Sequence, residues 1–448
     1  MKFLAALLVM TATLLAIAVP ARADGLSIIR DAEIEHYLHT IGTPIFEAAG
    51  IPPNDVHFVM VDSDQLNAFV AGGMNIFLYT ELLRQTDEPS QLFGVIAHET
   101  GHIAGGHLIR GRTSMQQAST QALLATILGV AAGVVGHDPS AAGAMISGGQ
   151  QVAERSFLSF SRTQEGTADA AGMNFLDRAH LTTTGMLKFM QKLEDQELLP
   201  EDRQSEYVRT HPLTRDRVQA IEAHTNASPW KDTPVPAAWI EMHKRMKAKL
   251  AGFMDPLGAL QTYKASDDSF DAQYARAIAL YKRTQLTPAL AGVDKLLARE
   301  PQNPYLYELK GQMLFESGKV VDAVAPYKKA VELSHDTPLI EVAYAHALIE
   351  TNDNAKLSEA VDRLQDSQRT EPDEPLTWRL LATAWGRQGD EAMSSYALAE
   401  EAASKGDYKL ARLQIAQAEH KLPAGSPYRV KLLDLKRDIE RAKDEKDN

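Results

Sequence analysis

The chain has 448 residues, too many for one ordinary domain, so two or three folded units are expected. It contains no cysteine, which excludes structural disulfides, thiolate-held zinc and a lipid-modified cysteine anchor, and leaves any metal to histidines and carboxylates. A formal net charge of −13 argues against nucleic acid as a partner, because phosphate contacts need clustered Lys and Arg.

The chain opens with MKFLAALLVMTATLLAIAVPARA. One Lys precedes an apolar run, and Pro20 comes before Ala21-Arg22-Ala23, which is the three-part layout of a secretory signal. Residues 1–23 are read as that signal, with cleavage after Ala23. Losing Lys2 and Arg22 with it leaves the exported chain at −15.

The first exported segment, Ile28 to Ala48, has helical apolar spacing. VHFVMVD (Val56–Asp62) alternates and is β-branched, as a strand should be. NAFVAGGMNIFLYTELL (Asn67–Leu83) reads as a hairpin turning at Gly72-Gly73, with Met74–Tyr79 as its second strand. That strand is a candidate exposed edge to which an extended substrate would add by backbone hydrogen bonds, an ordinary paired strand being the alternative. LFGVIAHETGHIAGGHLI (Leu92–Ile109) reads as one buried helix.

Leu123 to Val135 is very apolar. A helix of that length reaches only about 20 Å, short of the roughly 30 Å hydrocarbon core, so it reads as a buried helix or one making peripheral membrane contact. Glu154 to Leu193 reads as a second long helical region. TNASPWKDTPVPAAW (Thr225–Trp239), with three prolines and few apolar positions, is the best candidate for an interdomain linker.

From about Phe270 the texture changes to helices with small residues at fixed offsets. Asn303–Leu333 carries Tyr307, Gly311, Leu314, Ala323, Tyr327 and Ala330, the pattern of a 34-residue tetratricopeptide repeat. Phe270–Pro301 is a weaker copy, Pro375–Asp390 repeats a first half and Ser404–Pro423 a second half. One such unit cannot bury its face alone, so about four are expected to stack, with Pro427–Lys443 as a polar cap. The fold class is therefore mainly α: an α+β unit with a small sheet at 24–225, a linker and connecting helix at 226–268, and an α-solenoid of repeats at 269–445.

The chemistry concentrates in HETGHIAGGH (His98–His107). His98 and His102 lie four residues apart and share a helix face, so both imidazoles reach one Zn²⁺ while Glu99 projects beside the open position. His107 lies five residues past His102 and, on a continuous helix, about 180° round from His98. It is rejected as a ligand and read as a hydrogen-bonded structural histidine. The better candidate is Glu165 in RTQEGTADAAG (Arg162–Gly172), which shares a helix face with Asp169. One carboxylate can bind zinc and the other can accept the N–H of a ligating imidazole, leaving a fourth position for water. RTHPLTRDRVQAIEAH (Arg209–His224) adds His211, whose following Pro212 is read as starting a helix that reaches Arg217. His211 faces the zinc or merely opens the helix; Arg217 orients a carboxylate or the scissile carbonyl.

HETGHIAGGH, EGTAD and HPLTRDR, in that order and spacing, resemble the M48 family of gluzincin metallopeptidases, over roughly Ile28 to Ala223. The resemblance implies one Zn²⁺ per chain held by His98, His102 and Glu165. It makes Glu99 the catalytic base, and His211 with Arg217 the H-P-x-x-x-x-R pair. An alternative for His211 is the fourth metal position, which would keep the resting enzyme inactive. With a signal ahead and repeats behind, the chain is similar to periplasmic members of that family. That implies unfolded or unassembled envelope proteins as substrates, chaperone-like binding, and docking to outer-membrane assembly machinery through the repeats. A second reading makes the repeats' protein binding dominant, as in a chaperone or adaptor, with proteolysis latent.

Overall fold

The computed structural model describes residues 27–71, 73–107, 162–197, 205–334 and 337–447. The signal read at 1–23 and the apolar run Leu123–Val135 lie outside these residues. Among the described residues no helix is long and apolar enough to cross a membrane.

The architecture is mainly α with one small sheet near the N-terminus. Strand β1 (Ile28–Ile29) leads into helix α1 (Ala32–Ala49). The helical pattern expected from Ile28 begins instead at Ala32, because the Asp31 carboxylate accepts the Ile34 N–H and caps the helix there. Ile34, Leu38, Ile41 and Ile45 recur at helical spacing and are all buried in one core.

Strands β2 (His57–Val61), β3 (Ala68–Ala71) and β4 (Asn75–Tyr79) complete a sheet of order β1-β2-β4-β3. The expected hairpin is there, with β3 antiparallel to β4 and Gly73 at φ 98 in the turn. Of the two readings of Met74–Tyr79, the paired strand is the one found and the exposed edge is not: β4 is interior, parallel to β2 from His57↔Asn75 to Val61↔Tyr79, and among the described residues the edge strands are β1 and β3. Residues 62–67 carry the chain past the slot beside β2, and the hairpin then folds β4 back into it.

Helix α2 (Thr80–Gln85) leads to α3 (Pro89–Gly105). The helix read through Ile109 stops at Gly105, because Gly106 adopts φ 60 and its N–H bonds the carbonyls of His102 and Ile103. Helix α4 (residues 162–178) and α5 (Thr184–Glu197) divide the second helical region. The break falls where His180 has φ 58 and the Thr182 and Thr183 hydroxyls bond Lys231 O and the Thr225 hydroxyl. After α6 (Glu206–Thr210) the chain enters α7 at Arg215 (Arg215–Ala227), not at Pro212, because the Thr214 side chain accepts the Arg217 N–H as the cap.

The stretch Thr225–Trp239 is mostly exposed and is anchored at a few points, with Thr225 buried and Trp230 stacked on His180 at 4.0 Å. Helix α8 (Ala237–Met254) then buries Met246 and Leu250 in the N-terminal core and Ala248 in the next one. Beyond α9 (Pro256–Thr262) the helices run as consecutive antiparallel neighbours. They are α10 (Phe270–Lys282), α11 (Leu286–Arg299), α12 (Pro304–Glu316), α13 (Val320–Ser334), α14 (Pro338–Glu350), α15 (Leu357–Gln368), α16 (Pro375–Gln388), α17 (Glu391–Ser404), α18 (Tyr408–Lys421) and α19 (Pro427–Asp447). Ala323, Tyr327 and Ala330 are buried in this helical repeat region, as their spacing requires.

The repeats curl back onto the start of α1. Lys249 of α8 is buried against Asp31 (2.7 Å) and Glu33 (3.2 Å), and the Tyr274 hydroxyl of α10 donates to Glu33 at 2.7 Å. Arg30 bonds both Glu35 (2.7 Å) and Glu371 of the α15–α16 connection (2.6 Å).

Candidate metal centre

Two helices that touch at glycines bring the site together. A Cβ on Gly101 of α3 would lie 2.5 Å from the Ala168 carbonyl of α4, and one on Gly172 would lie 2.9 Å from that of Ala97. Only glycine at both positions lets α3 and α4 cross this closely. The crossing sets His98 and His102 of α3 opposite Glu165 and Asp169 of α4.

The His102 Nε2 stands 3.1 Å from His98 Nε2 and 3.3 Å from Glu165 Oε1, and His98 Nε2 stands 3.4 Å from Glu165 Oε2. Ligands about 2.0–2.1 Å from one zinc ion at tetrahedral angles stand about 3.3 Å apart, so this donor set fits such an ion. His211, at the C-cap of α6, joins from the far side. One donor atom from each of His98, His102, Glu165 and His211 lies within 4.8 Å of all the others. His98, Glu165 and His211 are buried and His102 is partly so.

Behind the ligands lies a layer of charge. Asp169 Oδ1 accepts the His98 Nδ1–H at 2.9 Å, which fixes the tautomer that turns Nε2 inward. Arg217 donates to both Asp169 oxygens (2.6 and 3.0 Å) and to the Pro212 carbonyl (2.8 Å), and lies 3.1 Å from Glu165 Oε2. Its guanidinium is occupied by the carboxylates and the His211 turn, so it orients these groups rather than a substrate carbonyl.

Glu99 is fully buried, and among the described residues neither of its oxygens has a hydrogen-bond partner. The His211 Nε2 is 3.7 Å from its Oε1. Burial pushes the Glu99 carboxyl up, and His98 and His102 offset only part of that. A buried carboxylate without a partner is costly, and its position beside the donor set is the place for a base awaiting a water. Burial works against a charge on His98, but hydrogen bonds and charges from Asp169 and Glu165 outweigh it and push the imidazole up to about 10. Burial also opposes the Glu165 charge, yet hydrogen bonds from His102 and His98 and the charge on His98 hold it well below the carboxylate range. His211 is pulled down to about 3 by burial, which Glu165 only partly offsets, and stays neutral.

All seven residues singled out in the sequence meet here: His98, Glu99, His102, Glu165, Asp169, His211 and Arg217. Sequence reasoning missed Tyr207, whose ring stacks on His211 at 4.6 Å. Its place one helical turn before His211 was the available signal. It also missed that His107 and Thr167 extend the network behind His102.

The model of peptidase family M48 matches residues 32–225. The chain is 28% identical over 413 residues to the beta-barrel assembly-enhancing protease of Yersinia pestis, covering 89% of this chain and 82% of that protein. It is 26% identical over 409 residues to the protein of the same name from Escherichia coli K12, covering 88% and 81%. Metalloprotease LoiP of Escherichia coli K12 is 28% identical over 188 residues, 41% of this chain and 69% of that protein.

Proposed function

The chain belongs to peptidase family M48 and is a metalloprotease, and from that premise we propose that it is a zinc endopeptidase of the bacterial periplasm. On this reading it cleaves unfolded or unassembled envelope proteins during outer-membrane assembly. The supporting observation is the convergence of His98, His102 and Glu165 at tetrahedral spacing beside a buried Glu99 whose oxygens have no partner among the described residues. Three protein ligands leave the fourth position that a catalytic zinc requires.

A bound zinc would supply the Lewis acid that acidifies a water and polarises the scissile carbonyl. Glu99 takes the proton from the attacking water and passes it to the leaving amine nitrogen. His211, kept neutral by burial, has its Nε2 at hand to donate to the developing oxyanion. Asp169 and Arg217 hold the ligands in place. The partly exposed edge strand β3 (Ala68–Ala71) offers an extended segment backbone pairing beside α3.

The names of the relatives support outer-membrane assembly as the setting. The signal read at 1–23 supports export, and residues 269–445, read as tetratricopeptide repeats, supply a surface for unfolded clients or for the assembly machinery. A second reading rests on one ring nitrogen of His211 lying within the donor set. There His211 takes the fourth position at rest, proteolysis is latent, and chaperone-like binding by the repeats dominates.

The test is metal content and casein cleavage, side by side, for the mature protein and Glu99→Gln. One zinc in each, with cleavage by the parent alone, supports the endopeptidase. Zinc in both with cleavage by neither favours the latent reading, and His211→Ala should then release activity. No zinc in either sinks the metal site.

A further inference from the structure

Resting on the zinc reading of this site, we infer that His107 is the positioning residue for His102, and that the turn after the active-site helix is built to put it there. His98 has a carboxylate behind it. Among the described residues the outer nitrogen of His102 meets an imidazole instead of a carboxylate. The His107 Nδ1 stands 3.0 Å from the His102 Nδ1.

The hydrogen-bond chain runs in one direction. A metal on His102 Nε2 leaves the proton on Nδ1, which must then donate. His107 Nδ1 is therefore the acceptor, and its own proton sits on Nε2. That nitrogen lies 3.2 Å from the Thr167 hydroxyl, which donates in turn to the Gln164 carbonyl at 2.9 Å. Each of these three contacts has one donor and one acceptor. The chain ends in the turn of α4 that carries Glu165, so the second imidazole ligand is keyed to the carboxylate ligand. Gln164 ties the backbone as well, its Nε2 donating to the His107 carbonyl at 3.1 Å.

The backbone is arranged for this contact. Gly106, at φ 60, ends α3 and turns the chain back toward His102. A Cβ on Gly105 would collide with the His107 ring, so the ring occupies space that only glycine leaves free. The expectation that His107 points away from the ligands assumed a continuous helix; the left-handed Gly106 returns it to their rear. His107 is buried, 8% exposed, as a group that orients a ligand should be.

The experiment compares His107→Leu with His107→Asn, side chains of nearly one shape, of which only Asn keeps an acceptor near the Nδ1 position. Zinc affinity is measured by competition with a chromophoric chelator, and the melting temperature is taken without metal. The inference expects His107→Leu to bind zinc about 10–100-fold more weakly than the parent, the usual cost of losing such a partner. His107→Asn should recover most of that loss, with the metal-free melting temperatures of the two variants alike. His107→Ala replaces Leu should that variant not fold. Parent-like affinity in His107→Leu overturns the inference, and so does an equal loss in Leu and Asn, which would mark a packing role. A parent that binds no zinc fails the metal reading itself. A parent that binds, with His102→Ala deficient and His107→Leu unaffected, fails this inference alone.

Discussion

Arg217 holds both oxygens of Asp169, at 2.6 and 3.0 Å, and through Asp169 it holds His98. The pair lies in the interior: both residues are buried, and Glu165 adds a second carboxylate 3.1 Å from the same guanidinium. Charge therefore stabilises the site only as a set. Removing the cation would leave two carboxylates with only the His98 imidazole against them in a poorly solvated place.

Arg217→Ala is accordingly expected to cost about 3–5 kcal/mol of stability, the scale for breaking one side of a buried ion pair. Asp169→Asn is the milder variant, because its amide oxygen still accepts the His98 N–H while the charge is lost. Its expected effect is a zinc affinity about 10–100-fold weaker with a smaller change in melting temperature. Denaturant unfolding and chelator competition on both variants check the order. Equal losses of stability would show that the charge on Asp169 matters as much as that on Arg217.

The helix crossing makes a second prediction. Gly101→Ala places a methyl 2.5 Å from the Ala168 carbonyl and must part α3 from α4. The expected cost is about 1–3 kcal/mol, as for other overpacked contacts, with zinc loss because Glu165 moves away from the imidazoles. Gly166, one residue past Glu165, has open space where its Cβ would stand. Gly166→Ala should therefore be neutral or stabilise by up to about 1 kcal/mol, the helix preference for Ala over Gly. Thermal melting and zinc titration of the two variants distinguish a steric site from a general sensitivity of this region.

How far the sequence alone reaches can be seen in these same helices. His98 with His102 and Glu165 with Asp169 were legible because an i, i+4 pair shares a face whatever the tertiary fold. The stacking of repeat helices was legible for a similar reason, in small residues such as Ala323 and Ala330 at fixed offsets. The order of the sheet was not. Whether Met74–Tyr79 or Ala68–Ala71 forms the edge depends on which strand reaches β2 first in space, and both segments alternate alike. Helix ends failed where two signals competed. Thr214 capped α7 although Pro212 offered a start, and the apolar helical pattern ran on through Gly105-Gly106 to Ile109, whereas Gly106 is left-handed and ends the helix. That misreading moved His107 to the wrong side.

The junction between the halves yields a prediction about pH. Glu308 of α12 lines a cavity of about 470 Å³ with Asp31 and Lys249. Burial pushes its carboxyl up from 4.5 to about 7; Lys249 opposes this and Asp31 and Glu33 add to it. The folded state thus binds this proton more tightly than the unfolded chain. The stability that follows is fully present below pH 4.5 and is lost as pH rises through about 7. Glu308→Gln lacks that loss. Its melting temperature relative to the parent should climb between pH 5 and pH 7.5 and then level off. The metal centre titrates identically in both chains and cancels in the difference. A flat difference would mean that Glu308 ionises as it would in water.

Glu99 gives the last prediction, in which stability and activity move in opposite directions. Its carboxylate is fully buried with neither oxygen bonded among the described residues, an arrangement that costs folding free energy. Glutamine has the same shape and no charge to desolvate. Glu99→Gln should therefore raise the melting temperature of the metal-free protein, while peptide cleavage falls by about 10²–10⁴-fold with the loss of the general base. Zinc affinity should change little, because Glu99 is not among the four converging donors. Calorimetry without metal, chelator competition and a cleavage assay on one preparation would check all three. A variant that melts lower than the parent would show that Glu99 has a stabilising partner in solution. The unpartnered carboxylate would then no longer mark where the attacking water is activated.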